Sequence, residues 1–119
     1  MTNGIDAIEF SQTWAAAWNR RDLEAVLHHF HEEAVFTSPV AQRIGFAKDG
    51  IVTGKEALRR YWTAALARNP KLHFEVTAVY QGTDTLVIAF KNQDGDNRVE
   101  VLNFSAGLVI AGHGTFEVS

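Results

Sequence analysis

The chain has no cysteine, which excludes disulfide staples, thiolate metal sites and cysteine nucleophiles. It has only two prolines, and both stand where a regular element should stop: Pro39 after a β-prone run, Pro70 after a helical one. Positive charge is not in excess. Eleven Lys and Arg face 14 Asp and Glu, the net charge is −3 and the isoelectric point is about 5.9. Without a positive field to collect phosphates, nucleic acid is not an expected partner. Apolar runs last only a few residues, as in Leu86–Phe90, far short of the roughly 20 that cross a bilayer, so no membrane partner is expected. The first ten residues carry neither the basic nor the apolar stretch of a secretory signal, and the expected compartment is the cytoplasm. What remains is an ordinary globular composition, 46% hydrophobic and 21% charged, expected to form one domain over residues 1–119.

Hydrophobic spacing divides the chain into helices first and strands afterwards. Ile8, Phe10, Trp14, Ala17 and Trp18 recur at helical intervals between Asp6 and Arg20. Asp22 can cap a second helix bearing Leu23, Val26, Leu27 and Phe30. Ala34–Ser38 reads as a short strand, and residues 40–53 read as a loop. A third helix should run from Thr53 or Gly54 to Arg68, carrying Leu58, Tyr61, Trp62, Ala65 and Leu66. Four strands are expected next: Leu72–Tyr80, Thr85–Asn92, Arg98–Ser105 and Leu108–Val118. Tight turns at Gln81–Asp84, Gln93–Asp96 and Ala106-Gly107 make consecutive strands antiparallel. Three helices followed by a meander define an α+β fold with the helices on one face of the sheet.

The order and spacing of several strings resemble the nuclear transport factor 2-like superfamily in its SnoaL-like branch. They are Trp14–Leu23, Phe36-Thr37-Ser38-Pro39, Gly54–Leu58 with Tyr61-Trp62, and Val99-Glu100-Val101-Leu102. The resemblance implies a cone in which a curved antiparallel sheet wraps the helices, a pocket at its mouth and a homodimer through the convex face. Similar proteins include ketosteroid isomerases, polyketide cyclases and limonene-type epoxide hydrolases, so it locates a site better than it names a reaction. The isomerase's general base falls at Ser38, its oxyanion-hole tyrosine at Trp14 and its protonated aspartate at Leu102. Serine is too weak a base for that mechanism and leucine has no proton to donate, which argues against steroid isomerisation. The epoxide hydrolase's Arg-x-Asp pair is matched by Arg98-Val99-Glu100, and its second aspartate falls at Gly114.

Strand alternation puts Arg98, Glu100, Leu102 and Phe104 on one face, with Val99, Val101 and Asn103 on the other. If Leu102 and Phe104 face the cavity, Glu100 does too. An apolar cone raises its pKa unless Arg98 pairs with it, and Glu100 is then an acid–base group oriented by Arg98. The bland reading is an edge salt bridge. Trp14, Trp18, Phe36, Trp62, Leu102 and Phe116 are either plain core or the walls of an apolar pocket, with Ser38 and Asn92 as its polar contacts. Gly112 and Gly114 are expected to leave space in it, and His113 to face outward toward a dimer interface. His28, His31, Glu32 and their neighbours invite a metal reading, but Leu27 and Phe30 claim the buried stripe and leave those side chains in solvent, so neither metal nor cofactor is expected. The function expected is a small-molecule enzyme of isomerase, cyclase or hydrolase type acting on an apolar substrate. The alternative is a non-catalytic binding module or accessory subunit for an apolar molecule.

Overall fold

The computed structural model describes residues 5–118. Helix α1 spans Ala7–Asn19, α2 Leu23–Leu27, α3 Pro39–Arg43 and α4 Lys55–Arg68. The strands are β1 Phe30–Thr37, β2 Ile51–Thr53, β3 Glu75–Gly82, β4 Thr85–Lys91, β5 Asn97–Ser105 and β6 Leu108–Gly114. They form one curved, unclosed six-stranded sheet in the order β2-β1-β6-β5-β4-β3. The expected antiparallel meander is present as β3 to β6. Beside it, β1 pairs in parallel with β6 and antiparallel with β2.

Helix α1 starts at Asp6, whose Oδ1 accepts from Glu9 N at 3.0 Å. It buries Phe10, Trp14, Ala17 and Trp18, a stripe at helical spacing. Its last residue fastens it to the sheet. Asn19 Nδ2 donates to Phe74 O at 3.0 Å, and Asn19 Oδ1 accepts from Phe74 N at 2.7 Å, so one amide stands in for a strand partner ahead of β3. Asp22 caps α2 as expected, its Oδ1 accepting from Ala25 N at 3.1 Å.

Three segments differ from the sequence reading. The second helix ends at Leu27, and β1 already begins at Phe30, four residues before the expected strand. His31, Glu32 and Glu33 give that stretch no apolar alternation, and the β1–β6 register slips between Phe30 and Val35. The expected loop over residues 40–53 contains α3 and β2, which at five and three residues are too short to show a period. Ser38 caps α3 by accepting from Val40 N at 3.2 Å, and Pro39, which ends β1, is the first helical residue. The last strand stops at Gly114 rather than Val118.

The core lies between the concave face of the sheet and the helices, with α1 packed on β3 and α4 on β1 and β2. Strand β5 buries Glu100, Leu102 and Phe104, while Val99, Val101 and Asn103 are half-buried on the other face, which is the expected parity. Trp14 is 1% exposed and packs on Phe74 and Phe90 at ring-centroid distances of 5.4 and 5.2 Å. Removing so large a buried side chain leaves a cavity. Trp14→Ala is expected to destabilise the fold by roughly 3–5 kcal/mol, read as a lower urea midpoint at an unchanged m-value.

Candidate functional site

A cavity of about 290 Å3 opens at one end of the sheet, between α4, α3 and the ends of β4, β5 and β6. Its walls include Trp18, Phe36, Trp62 and Phe116 of the expected pocket residues, together with Ser38, Asn92, Arg98, Glu100 and Gly114. Trp14 and Leu102 do not line it. Both are enclosed in the core behind the wall, at 1% and 0% exposure. At Gly112 the expected free space is filled: a Cβ there would meet Phe36 Cδ1 at 2.7 Å and Leu102 Cδ2 at 3.2 Å. Gly114 does border the cavity, with Ser38 Oγ 3.6 Å from where its Cβ would stand.

Glu100 sits on β5 opposite Ile88 of β4 and Gly114 of β6, and its residue is buried at 9% exposure. Desolvation pushes its pKa up to about 8. The Trp14 indole N–H pulls the other way, favouring the carboxylate, but it falls short of hydrogen-bond geometry and Nε1 is buried without a partner. Arg98 does not neutralise the acid, contrary to the expected Arg98–Glu100 pair. Its guanidinium lies 4.5 Å from the Phe116 ring centroid, and its nearest carboxylate is Asp96 at 3.7 Å. The two side chains share a face of β5, but Arg98 is at the open end of the strand, where it keeps its hydration and an aromatic face. Arg43 of α3 lies over the same ring at 4.5 Å. Glu100 therefore meets the cost of burial by holding its proton at neutral pH.

A residue that the sequence reading placed only on a helical stripe completes the polar wall. Tyr61 of α4 is buried at 3% exposure, lines the cavity, and its Oη lies 2.8 Å from Ser38 Oγ. Burial raises its pKa, the Ser38 hydrogen bond lowers it in part, and charge on Glu100 raises it further. The signal available in the sequence was its place beside Trp62 in the helix facing Ser38-Pro39, a pairing that only the tertiary fold makes. Asn92 lines the cavity, but its Oδ1 is engaged by Asp94 N at 3.0 Å and Asp96 N at 2.9 Å, which shapes the β4–β5 turn.

The histidine cluster is separate from this wall. His28 is exposed, and half-buried His29 packs edge-on against Phe10 at 4.8 Å, its pKa lowered by burial and then by His28. Among the described residues no group of three or more His, Asp or Glu side chains converges as metal ligands would. His113 Nδ1 lies 2.7 Å from Thr37 Oγ1 across the β1–β6 pair. No helix among the described residues is long and apolar enough to cross a membrane.

A curved sheet wrapped on helices, with a buried carboxyl group on the wall of a cavity at one end, is an α+β cone with a recess. The chain belongs to the SnoaL-like domain family, whose model matches residues 11–117. It is similar to a SnoaL-like protein of unknown function from Burkholderia thailandensis, with 33% identity, 94% of each chain covered and a TM-score of 0.87. At lower identity the same fold occurs in a putative polyketide cyclase from Sinorhizobium meliloti (14%, 90% of this chain and 94% of that one, TM-score 0.73). It also occurs in a putative hydroxylase from Streptomyces galilaeus (20%, 94% and 89%, TM-score 0.70). No curated protein matches the chain.

The Glu100 pKa carries a stability signature with a definite sign. The folded value of about 8 lies above the model value of 4.5, so the unfolded chain gives up this proton first as pH rises. Stability from this group is complete below about pH 4.5, falls from there to about pH 8 and then levels off. Glu100→Gln removes the dependence. The variant should match the wild type near pH 4 and exceed it by roughly 3–5 kcal/mol at pH 9 in paired urea titrations. A difference that stays flat with pH would place the Glu100 pKa near its ordinary value.

Proposed function

We propose that this chain is a small-molecule enzyme acting on an apolar substrate held in the cavity, with Glu100 as its acid–base group. The observation that carries the reading is a buried carboxyl group with no cation beside it on the wall of a largely apolar recess. A structural carboxylate in such a place would be expected to have a cationic partner, and the cation on the same strand lies over Phe116 instead. Held near pKa 8, the group is an acid at neutral pH and becomes a base once its proton has passed to a substrate. Tyr61, with Ser38 beside it, supplies a second hydroxyl to fix a polar atom of the substrate. The putative cyclase and hydroxylase among the structural neighbours fit a fold that serves small-molecule chemistry, without naming this chain's reaction.

The test is a screen of apolar ligands by thermal melts on wild type and Glu100→Gln. A ligand that raises the melting temperature of the wild type and not of the variant supports a site that uses the carboxyl group. Equal stabilisation of both reduces the cavity to an apolar binding pocket, the role of an accessory subunit, with Glu100 a structural charge.

We also propose that the active form is a homodimer. The convex face offers Val87, Ala89, Val99 and Val101, all only half-buried in the single chain, a patch too apolar to remain in water. A two-fold contact there would bury on the order of 1,200 Å2 of total surface or more. Light scattering at micromolar concentration is expected to give twice the chain mass of 13.2 kDa, and a monomer would remove the proposal.

A further inference from the structure

One aromatic side chain closes part of the inner wall of the cavity. Phe36 leaves β1 opposite Gly112 of β6 in the parallel pair. Its Cδ1 and Cε1 lie 2.7 and 3.0 Å from where a Cβ of residue 112 would stand, so only glycine admits the ring at this position. The same ring reaches along the strand: its Cε2 and Cζ are 3.8 Å from the Cβ position of Gly114, which borders the cavity. Its outer surface faces the open space, and Trp62 meets it edge-on at 5.4 Å. Leu102 converges on Gly112 from the other side, at 3.2 Å from the same point, and has no exposure at all. Phe36 thus stands over Gly112 on the inner wall of the cavity, with buried Leu102 beside it across the same glycine.

We propose that Phe36 is the residue that fixes ligand size, and that the cavity takes molecules of one or two fused rings and rejects longer polycyclic ones. The proposal rests on the reading of this cavity as the ligand site. The whole cavity, about 290 Å3, lies just below the range of roughly 300–1,000 Å3 typical of small-molecule pockets. The ring has little room to swing deeper, because it stands close over Gly112 and Leu102 occupies the other side of that glycine. Nor can Trp62 yield readily, since it is itself buried at 4% exposure between Trp18, Phe30 and Phe36. A ligand that extends past two rings must therefore stay in the mouth, where Arg98 and Phe116 stand. Close packing makes such a barrier steep, as interiors yield little to an added ring.

Two fluorescent probes measure this directly: 2-naphthol, with two rings, and 1-hydroxypyrene, with four. Each offers one hydroxyl to the Glu100 wall, so the ratio of their affinities reports size. Wild type is expected to favour 2-naphthol by at least about tenfold. Phe36→Ala opens the cavity inward to Leu102, and the preference should invert. Phe36→Leu, which keeps the core filled, should fall between and covers the case in which the alanine variant does not fold. Gly112→Ala acts in the opposite sense: its methyl group drives the Phe36 ring into the cavity and should weaken 2-naphthol about tenfold or more. An affinity ratio unchanged by Phe36→Ala or Phe36→Leu overturns the proposal, as does tight binding of 1-hydroxypyrene by wild type. If neither probe binds wild type or variants, both this inference and the cavity reading fall. Glu100→Gln separates the two otherwise. Equal weakening of both probes supports the acid–base wall and leaves the size ratio intact. An unaltered affinity in that variant, together with an inverted ratio in Phe36→Ala, removes the catalytic reading and keeps the size barrier.

Discussion

A carboxyl group that water cannot reach freely and no cation approaches has one inexpensive state, the protonated one, and the character of this site depends on that constraint. The group is placed there by the period of a strand. Glu100, Leu102 and Phe104 occupy successive inward positions of β5, and the helices that bury the two apolar side chains bury the acid with them. To turn Glu100 outward would require a one-residue slip of β5. That would expose Leu102 and Phe104 and bring Val99, Val101 and Asn103 inward. The energy holding the acid in its apolar place is therefore the burial of its neighbours on the strand, and its raised pKa is the local cost of that register.

The parity of β5 was legible in the sequence because alternation needs only local order. Helix α1, the Asp22 cap and the three hairpins were legible for the same reason: a stripe, a capping aspartate and turn residues act over a few positions. The parallel pairing of β1 with β6 was not, since the two strands lie some 75 residues apart and the fit of Phe36 over Gly112 shows only once they are paired. The start of β1 was hidden for a related reason. His31, Glu32 and Glu33 carry no apolar alternation, and the strand is held there by its neighbours rather than by its own pattern.

The site was legible in outline and wrong in one pairing. Shared parity put Arg98 beside Glu100, but a side chain's direction is settled at the strand end by what solvent and aromatic faces offer. A guanidinium partly exposed over Phe116 and near Asp96 gains little by following a carboxyl group into a buried site. Tyr61 was overlooked because helical spacing shows that a residue is inward and not what it meets. Its partner Ser38 comes from the other end of a turn that also caps α3. Trp14 and Leu102 illustrate the converse. Both are core side chains in this chain, and the cavity is walled by residues such as Phe36 and Trp62 instead.

That filling of the core limits the chemistry. With the deep end of the cone occupied by hydrocarbon, the polar groups left on the wall gather near Ser38, Tyr61, Glu100 and the β4–β5 turn. Under the proposed reading Glu100, its pKa raised to about 8, is the buried acid of this wall, while the other carboxylate on it, Asp94, is exposed at the β4–β5 turn. A mechanism that needs a separate base to activate water while an acid protonates a leaving group asks for two carboxyl groups held in different states. The second aspartate expected of a hydrolase corresponds to Gly114, where the wall carries only a glycine against Phe36 and Ser38. A proton shift within a bound substrate asks only for one group that alternates between acid and base, with a hydroxyl to hold the atom that changes charge. Under the proposed enzyme reading, Glu100 and Tyr61 would meet that requirement, which favours an isomerising proton shift over hydrolysis for this cavity.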